Sequence, residues 1–545
     1  MRGSMQSKLG SILIATVALT GATVVSCAAQ AADICPRGTP GSDVPPPPDL
    51  YSKNGSLHVA LNYLTTVDQA GRTLFCYQTP NGLESPTLHV QPGDEVQINL
   101  TNMLPPGGNA HRVSAKEASV ECRDNVMTDT SINMHFHGLN ISPKCHSDET
   151  IHTLVNSGET FTYKLKIPAN EPPGLYWYHP HVHEIASPAV QGGATGAIIV
   201  EGIENIQPAV AGLPQRVLVL RDQPLQNALG YRAPAPFWDV SINYVPVPYP
   251  SYPPAIIKMT KGSQEFWRVA NAAANTILDL EVDYDGKAQP LQVVGLDGVP
   301  TGSQDGKRQG TIITEKHIVL PPAARAEFIL AAPPRSTIKA YFITRTIDGG
   351  PASDSNPTRP FAQIIASDPP DRLSRLPERS HPPHLQRFED AANLKPNAHR
   401  KLYFWETTFA GHKRMPPADS QKFYITIDGQ DVHVYNPDNP PDITTTKGSI
   451  EDWTIENHTF ELHVFHIHQI HFLVLQVNGK DVPAKERQWR DTYEVPYWTG
   501  TGPYPSIKVR MDFRGAVAGN FVYHCHILDH EDRGMMAIIR VLPKG

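Results

Sequence analysis

Three ten-residue stretches of the chain carry the same alternation of polar and apolar positions. They are GDEVQINLTN at 93–102, GSQEFWRVAN at 262–271 and GSIEDWTIEN at 448–457, each running from a glycine to an asparagine nine positions on. Side chains two apart on a strand point the same way, so this period predicts a half-buried β-strand in each stretch. The copies begin 169 and 186 residues apart, a spacing of domains rather than of hairpins. Other pieces repeat in the same order. LQVVGLDGVP (291–300) resembles LVLQVNGKDVP (473–483), and GLYWYHPH (174–181) matches GNFVYHCH (519–526). The pattern predicts three related β-sandwich domains, at 55–205, 206–370 and 399–545. A charged, proline-rich connection around DPPDRLSRLPERSHPPH (368–384) makes 371–398 an expected exposed linker.

Composition supports this reading and narrows it. The 52 prolines and 39 glycines among 545 residues are spread along the chain, which suits many short strands joined by turns. A formal net charge of −7 without a long basic run argues against nucleic acid as the partner. At the N-terminus, Lys8 precedes an apolar run from Ile12 to Val25 and then small residues, the form of a secretory signal over 1–31. Ala29-Gln30-Ala31 fits signal-peptidase cleavage. Val24 to Cys27 also resembles a lipoprotein site that would leave a lipid on Cys27. Later stretches are too short or too polar to span a bilayer. The expectation is an exported protein, periplasmic or secreted, acting as a monomer. Cys35, Cys76, Cys122 and Cys145 would form two disulfides in such a compartment, with three connectivities open. Cys525 is left over.

Histidine breaks the ordinary pattern. With 24 histidines, random placement gives about one His-x-His pair. Five occur, in MHFHG (134–138), YHPHVH (178–183), FHIHQ (465–469) and YHCHI (523–527). Each lies at the end of an apolar strand pattern and so presents two imidazoles on one face. Two clusters fall in the first domain and two at matching positions of the third. Packing those domains face to face would gather eight imidazoles, while the middle domain, without such a cluster, would act as a spacer that sets the geometry. In YHCHI the cysteine points away from its flanking histidines, toward a second site. His530 downstream and His463 in ELHVFHIH are its natural partners, with Met535 as a weak fourth donor. Two His, one Cys and a weak axial Met form the ligand set of a blue-copper centre.

Taken together, the motifs His-x-His-Gly, His-x-His, His-x-x-His-x-His and His-Cys-His-x-x-x-His-x-x-x-x-Met resemble those of the multicopper oxidases, in particular their three-domain, laccase-like bacterial members. The resemblance covers residues 55–545. It implies an all-β chain of three consecutive cupredoxin-like Greek-key β-sandwich domains and four copper ions. One type 1 copper would be held by His463, Cys525, His530 and Met535, and one type 2 copper by His135 and His466. Two type 3 coppers would be held by His137, His179, His181, His468, His524 and His526. It also implies outer-sphere oxidation of a small reducing substrate, one electron at a time, coupled to reduction of O2 to water. Asp148 and Glu531 match family positions that supply protons. His183, His471 and Asp529 have no assigned copper and read as supporting or surface residues. Tyr176, Trp177 and Tyr178 read as strand packing.

The substrate would be a phenol or aromatic amine. The alternative is a metal oxidase for Cu(I), Mn(II) or Fe(II) in copper tolerance or metal homeostasis. Copper-specialised relatives often carry methionine-rich inserts, and this chain has ten methionines and no such run. A copper-free structural protein is disfavoured because every motif ligand is in place.

Overall fold

The computed structural model describes residues 33–108, 111–112, 122, 126–225, 235–303, 310–367, 373–378, 387–407 and 421–545. The expected secretory signal over 1–31, with Cys27, lies outside the described residues. Nearly all regular structure is β, and the strands pair within three stretches of chain. The first stretch folds a four-stranded sheet built on Ser56–Val67 and Glu95–Asn102, and a five-stranded sheet ending in Gly174–His179 and His135–His137. The middle stretch has larger sheets, one centred on Gln264–Asn271 and one on Leu278–Tyr284. The last repeats the first, with one sheet around Ile450–Asn457 and a five-stranded sheet holding Gly519–Cys525 beside His463–Ile467.

Each of the three alternating stretches is a strand: Glu95–Asn102, Gln264–Asn271 and Ile450–Asn457. Each pairs in parallel with an earlier strand and antiparallel with a later one. The terminal asparagines explain why the repeat ends as it does. Asn102 Nδ2 donates to the carbonyls of Thr130 and Val155, and its Oδ1 accepts from Leu104 N–H. Asn271 does the same with Thr276, Leu320 and Ala273, and Asn457 with Glu461, Val495 and Thr459. All three are fully buried. An amide with two donors and an acceptor is the side chain that can satisfy three backbone groups where a chain leaves a strand.

Alternation is clean only in the first copy, whose outer face meets solvent. Gln264–Asn271 is buried on both faces because the first stretch covers it. Leu175, Trp177 and Ile199 pack there against Val217, Val219 and Ala270. A second apolar cluster joins Val299 of the middle stretch to Leu473 and Trp489 of the last.

Two details refine the sequence reading, and a third fills in what it left open. Regular structure begins before residue 55, with Asp49–Tyr51 pairing to Thr87–Val90, and Val44 is part of the core of the middle stretch. The expected linker keeps exposed residues such as Arg375, Glu378 and Lys395 but is pinned to the protein at several points where it is described. Leu376 and Phe388 are buried, Phe388 stacks on Trp489, and Arg387 pairs with Glu171. Apolar side chains between the prolines draw it onto the surface of the protein; residues 368–372 and 379–386 lie outside the described residues. The cysteines pair in sequence order, Cys35 with Cys76 and Cys122 with Cys145, and Cys525 is free and buried.

Asn271→Ala, in the stretch without His-x-His motifs, should destabilise the protein by about 2–4 kcal/mol by leaving buried carbonyls and an N–H unpaired. Denaturant unfolding checks this, and a loss under about 1 kcal/mol would contradict the role of the asparagine. His89 bridges Asp49 and Glu201, at 3.0 and 2.6 Å, and those carboxylates raise its pKa against the opposing effect of burial. A raised histidine pKa stabilises the fold below the unfolded value of about 6.5 and loses that contribution as pH rises through the folded value. Unfolding midpoints should therefore fall over that window in the wild type and less so in His89→Gln.

Candidate metal centre

The motif histidines converge because two pairs of strands carry them in register. In the first stretch Trp177 faces His137 and His179 faces His135 across antiparallel strands. In the last stretch His466 faces His524 and Phe465 faces Cys525. The pairs meet, stacking His135 on His468 at 3.7 Å and His137 on His466 at 4.0 Å between ring centroids. His179, His181, His524 and His526 close the cavity, and none of the eight rings is more than 2% exposed.

Hydrogen bonds behind the rings fix which nitrogen faces inward. His135 Nδ1 donates to Asp148 (3.0 Å), His179 Nδ1 to the Pro180 carbonyl (2.9 Å), and His524 Nδ1 to the Cys525 carbonyl (2.9 Å). His466 Nδ1 donates to the Asp491 carbonyl (2.8 Å), and His137 Nε2 to the Asp491 carboxylate (3.2 Å). Their other nitrogens are buried without a partner: Nε2 of His135, His179 and His466, and Nδ1 of His137; both nitrogens of His526 are likewise unpartnered. His181, His468 and His524 bring their Nε2 atoms within 3.2–3.3 Å of one another. Burial depresses these imidazoles, His181 to about 3 and His466 to about 4, so they are neutral at physiological pH. Neutral nitrogens with converging lone pairs and no proton donor fit metal cations.

A separate site lies across the strand. Cys525 Sγ is 3.6 Å from His463 Nδ1 and 3.9 Å from His530 Nδ1, and those two nitrogens are 3.2 Å apart. Thr459 Oγ1 lies 2.9 Å from His463 Nε2, which leaves Nδ1 for the cysteine side. Burial pushes the thiol up to about 12 and His463 down to about 3. A cation that displaces the thiol proton would suit this set. Met535 is fully buried in the same core cluster as Cys525, and its carbonyl accepts the Cys525 N–H at 3.0 Å.

Asp148 lies behind His135, accepting from Phe136 N–H and Gln469 as well, and burial raises its carboxyl well above the usual range. Glu531 is buried, raised by burial to about 8, and lies 3.6 Å from His183 Nδ1. His183 therefore faces the interior carboxylate. His471 is buried too, donating to the Asp297 carbonyl at 2.8 Å. Asp529 pairs with Arg533 and lines a cavity beside His530. Trp177 stacks on His179 at 4.2 Å, so its strand packing forms a wall of the imidazole cavity. Asp491, Arg325, Gln469 and Thr459 carry no motif signal and came to light only in three dimensions. Asp491 is held well below the usual carboxylate range by Arg325 and by neighbouring histidines, against the effect of burial.

Comparison with known proteins gives the same family at both ends of the chain. Sequence profiles described as multicopper oxidase match residues 106–205 and 414–545. A multicopper oxidase of Staphylococcus haemolyticus is 22% identical over 473 residues, covering 84% of this chain and 82% of the relative. Among solved structures, a Campylobacter jejuni multicopper oxidase described as a metallo-oxidase aligns with TM-score 0.65 at 22% identity, over 93% of this chain and 96% of its own. A laccase-like multicopper oxidase of Ochrobactrum sp., with oxidase activity towards lignin model compounds, aligns with TM-score 0.62 at 18% identity, over 92% and 100%. The sandwiches are cupredoxin-like, as in these structures, and the chain belongs to the multicopper oxidase family, copper-dependent oxidoreductases that pass electrons from a reducing substrate to O2.

Proposed function

We propose that this protein is a laccase-type oxidase of phenols and aromatic amines, using four copper ions. His463, Cys525, His530 and Met535 would hold a type 1 ion. His135 and His466 would hold a type 2 ion, and His137, His179, His181, His468, His524 and His526 a type 3 pair. When bound, these ions supply one-electron oxidation of substrate and four-electron reduction of O2 to two waters. The observation that carries the reading is the strand Gly519–Cys525 and the residue after it: Cys525 faces one donor set, and its neighbours His524 and His526 face the other. One residue of backbone on either side joins the two sites.

Other side chains have roles that follow from their positions. A cavity of about 440 Å³ opens beside His530, walled by Phe237, Trp238 and Phe423. That volume and those rings suit one aromatic substrate. Phe423 stacks on His530 at 4.2 Å, which fixes the imidazole that a bound substrate would touch. A second cavity of about 350 Å³ reaches His181 and His183, and would admit O2 and release water. Glu531 carries a proton at neutral pH because burial raises its carboxyl, and it would deliver that proton from its place beside His183. Asp148 holds the His135 ring by its Nδ1–H and would guard its tautomer while protons move nearby. Two disulfides and the N-terminal apolar run support export to an oxidising compartment.

One observation favours a second reading. Asp354, Glu461 and Asp529 line the cavity beside His530, and Glu461 approaches His530 Nε2 at 3.5 Å. Carboxylates there would also receive a reduced metal cation, the chemistry named for the Campylobacter relative.

Oxygen uptake by the copper-loaded protein decides between them. An electron-rich phenol should be consumed at about four molecules per O2 without added peroxide. Uptake with Cu(I) or Fe(II) and none with phenols would transfer the assignment to the metal-oxidase reading. Cys525→Ser should lose the blue colour and the oxidase activity while retaining about three copper ions per chain. A variant that stays blue would refute the assignment of the cysteine.

A further inference from the structure

We propose that Arg325, contributed by the middle stretch of the chain, is a positioning residue for the imidazole cluster, acting through Asp491 on His137 and His466. The inference rests on the reading of those histidines as copper ligands and gives the middle stretch a part in the site beyond spacing.

Arg325 lies at the start of the strand Arg325–Ala331 and is fully buried. Its Nη1 and Nη2 donate to the two oxygens of Asp491 at 2.8 and 2.7 Å, a bidentate fork. Its Nε donates to the Leu175 carbonyl of the first stretch, and Nη1 also to the Ala323 carbonyl. The guanidinium is thus fixed in its own plane by partners from all three stretches. Asp491 passes that constraint on. Its Oδ1 accepts from His137 Nε2, its backbone carbonyl accepts from His466 Nδ1, and Thr492 Oγ1 donates to Oδ1 at 2.9 Å. A carboxylate engaged by a guanidinium offers only acceptor oxygens. It therefore requires the N–H of His137 on Nε2 and leaves Nδ1 for the cavity, the nitrogen that is buried without a partner.

The glycine of MHFHG belongs to the same device. Gly138 has φ of +88°, and a Cβ there would lie 2.5 Å from Arg325 Nη2 and 2.6 Å from Asp491 Oδ2. The fork occupies the space where any other residue would place its side chain. A second ion pair braces the first, since Asp297 accepts the Arg325 backbone N–H at 2.9 Å and binds Arg490 Nε at 2.6 Å. His471, which has no place in the proposed ligand set, donates to the Asp297 carbonyl at 2.8 Å and closes the network.

The test is a copper-stripping titration of the full-length protein. Wild type, Arg325→Lys, Arg325→Met and Asp491→Asn are loaded with copper and equilibrated with graded EDTA. Total copper, the type 2 electron paramagnetic resonance signal and the blue absorption of the Cys525 copper are read in each. Residues that orient ligands from behind typically contribute about 10–100-fold to metal affinity. Arg325→Met and Asp491→Asn should therefore lose half the type 2 signal at about 10–100-fold lower EDTA, with the blue absorption unchanged. Arg325→Lys keeps the charge without the fork and should fall between them and wild type. Unchanged EDTA midpoints in variants of a fully loaded wild type would overturn the inference and leave the cluster reading intact. Loss of blue colour and type 2 signal together in all three variants would also overturn it, showing a role in the fold alone. A wild type that takes up copper at Cys525 and nowhere else would overturn the cluster reading and the inference with it.

Discussion

Eight neutral imidazoles, buried and facing one another, set the terms for the rest of this protein. Three of their nitrogens lie within 3.2–3.3 Å of one another. Facing lone pairs repel, and burial works against protonating any of them. Such a cavity is stable only in so far as the surrounding structure holds it open, and it gains most when cations enter. Metal binding and folding are coupled in such sites, since the donors must be deprotonated and the geometry exists only in the folded chain.

The surrounding structure meets that demand through backbone register. Each sheet of imidazoles is an antiparallel pair, and the two pairs come from opposite ends of the chain. Carbonyls and carboxylates behind the rings hold the outward nitrogens. The asparagine-terminated strand occurs three times with the same three hydrogen bonds, so one sandwich design serves as frame in all three stretches. Period two then does the electrical work at residues 524–526, where adjacent side chains belong to different sites.

Much of this was legible in the sequence because it depends on local periodicity. Alternation with a terminal asparagine marked the repeated strands, and His-x-His spacing marked residues on one face. The structure brings those same histidines together, and it places His463, Cys525 and His530 in a set of their own. What was not legible depends on contacts between distant parts of the chain. Asp491 sits in an unremarkable QWRDT, and Arg325 is one of many arginines; their pairing across 166 positions has no local signature. His183 and His471 stayed open between supporting and surface roles, because spacing says nothing of what faces a residue from another stretch. The packed course of Phe388 was hidden for a related reason. Proline and charge dominate the composition of that segment, while one aromatic ring against Trp489 decides where it lies. Disulfide pairing was equally out of reach, since four cysteines without coordinates allow three answers.

The most direct test of this account is a crystal of the copper-loaded protein with diffraction recorded on both sides of the copper absorption edge. Four anomalous peaks are expected, one among His463, Cys525 and His530 and three inside the cavity of eight histidines. A single peak at Cys525 with none in the cavity, or peaks that persist below the copper edge, would contradict it.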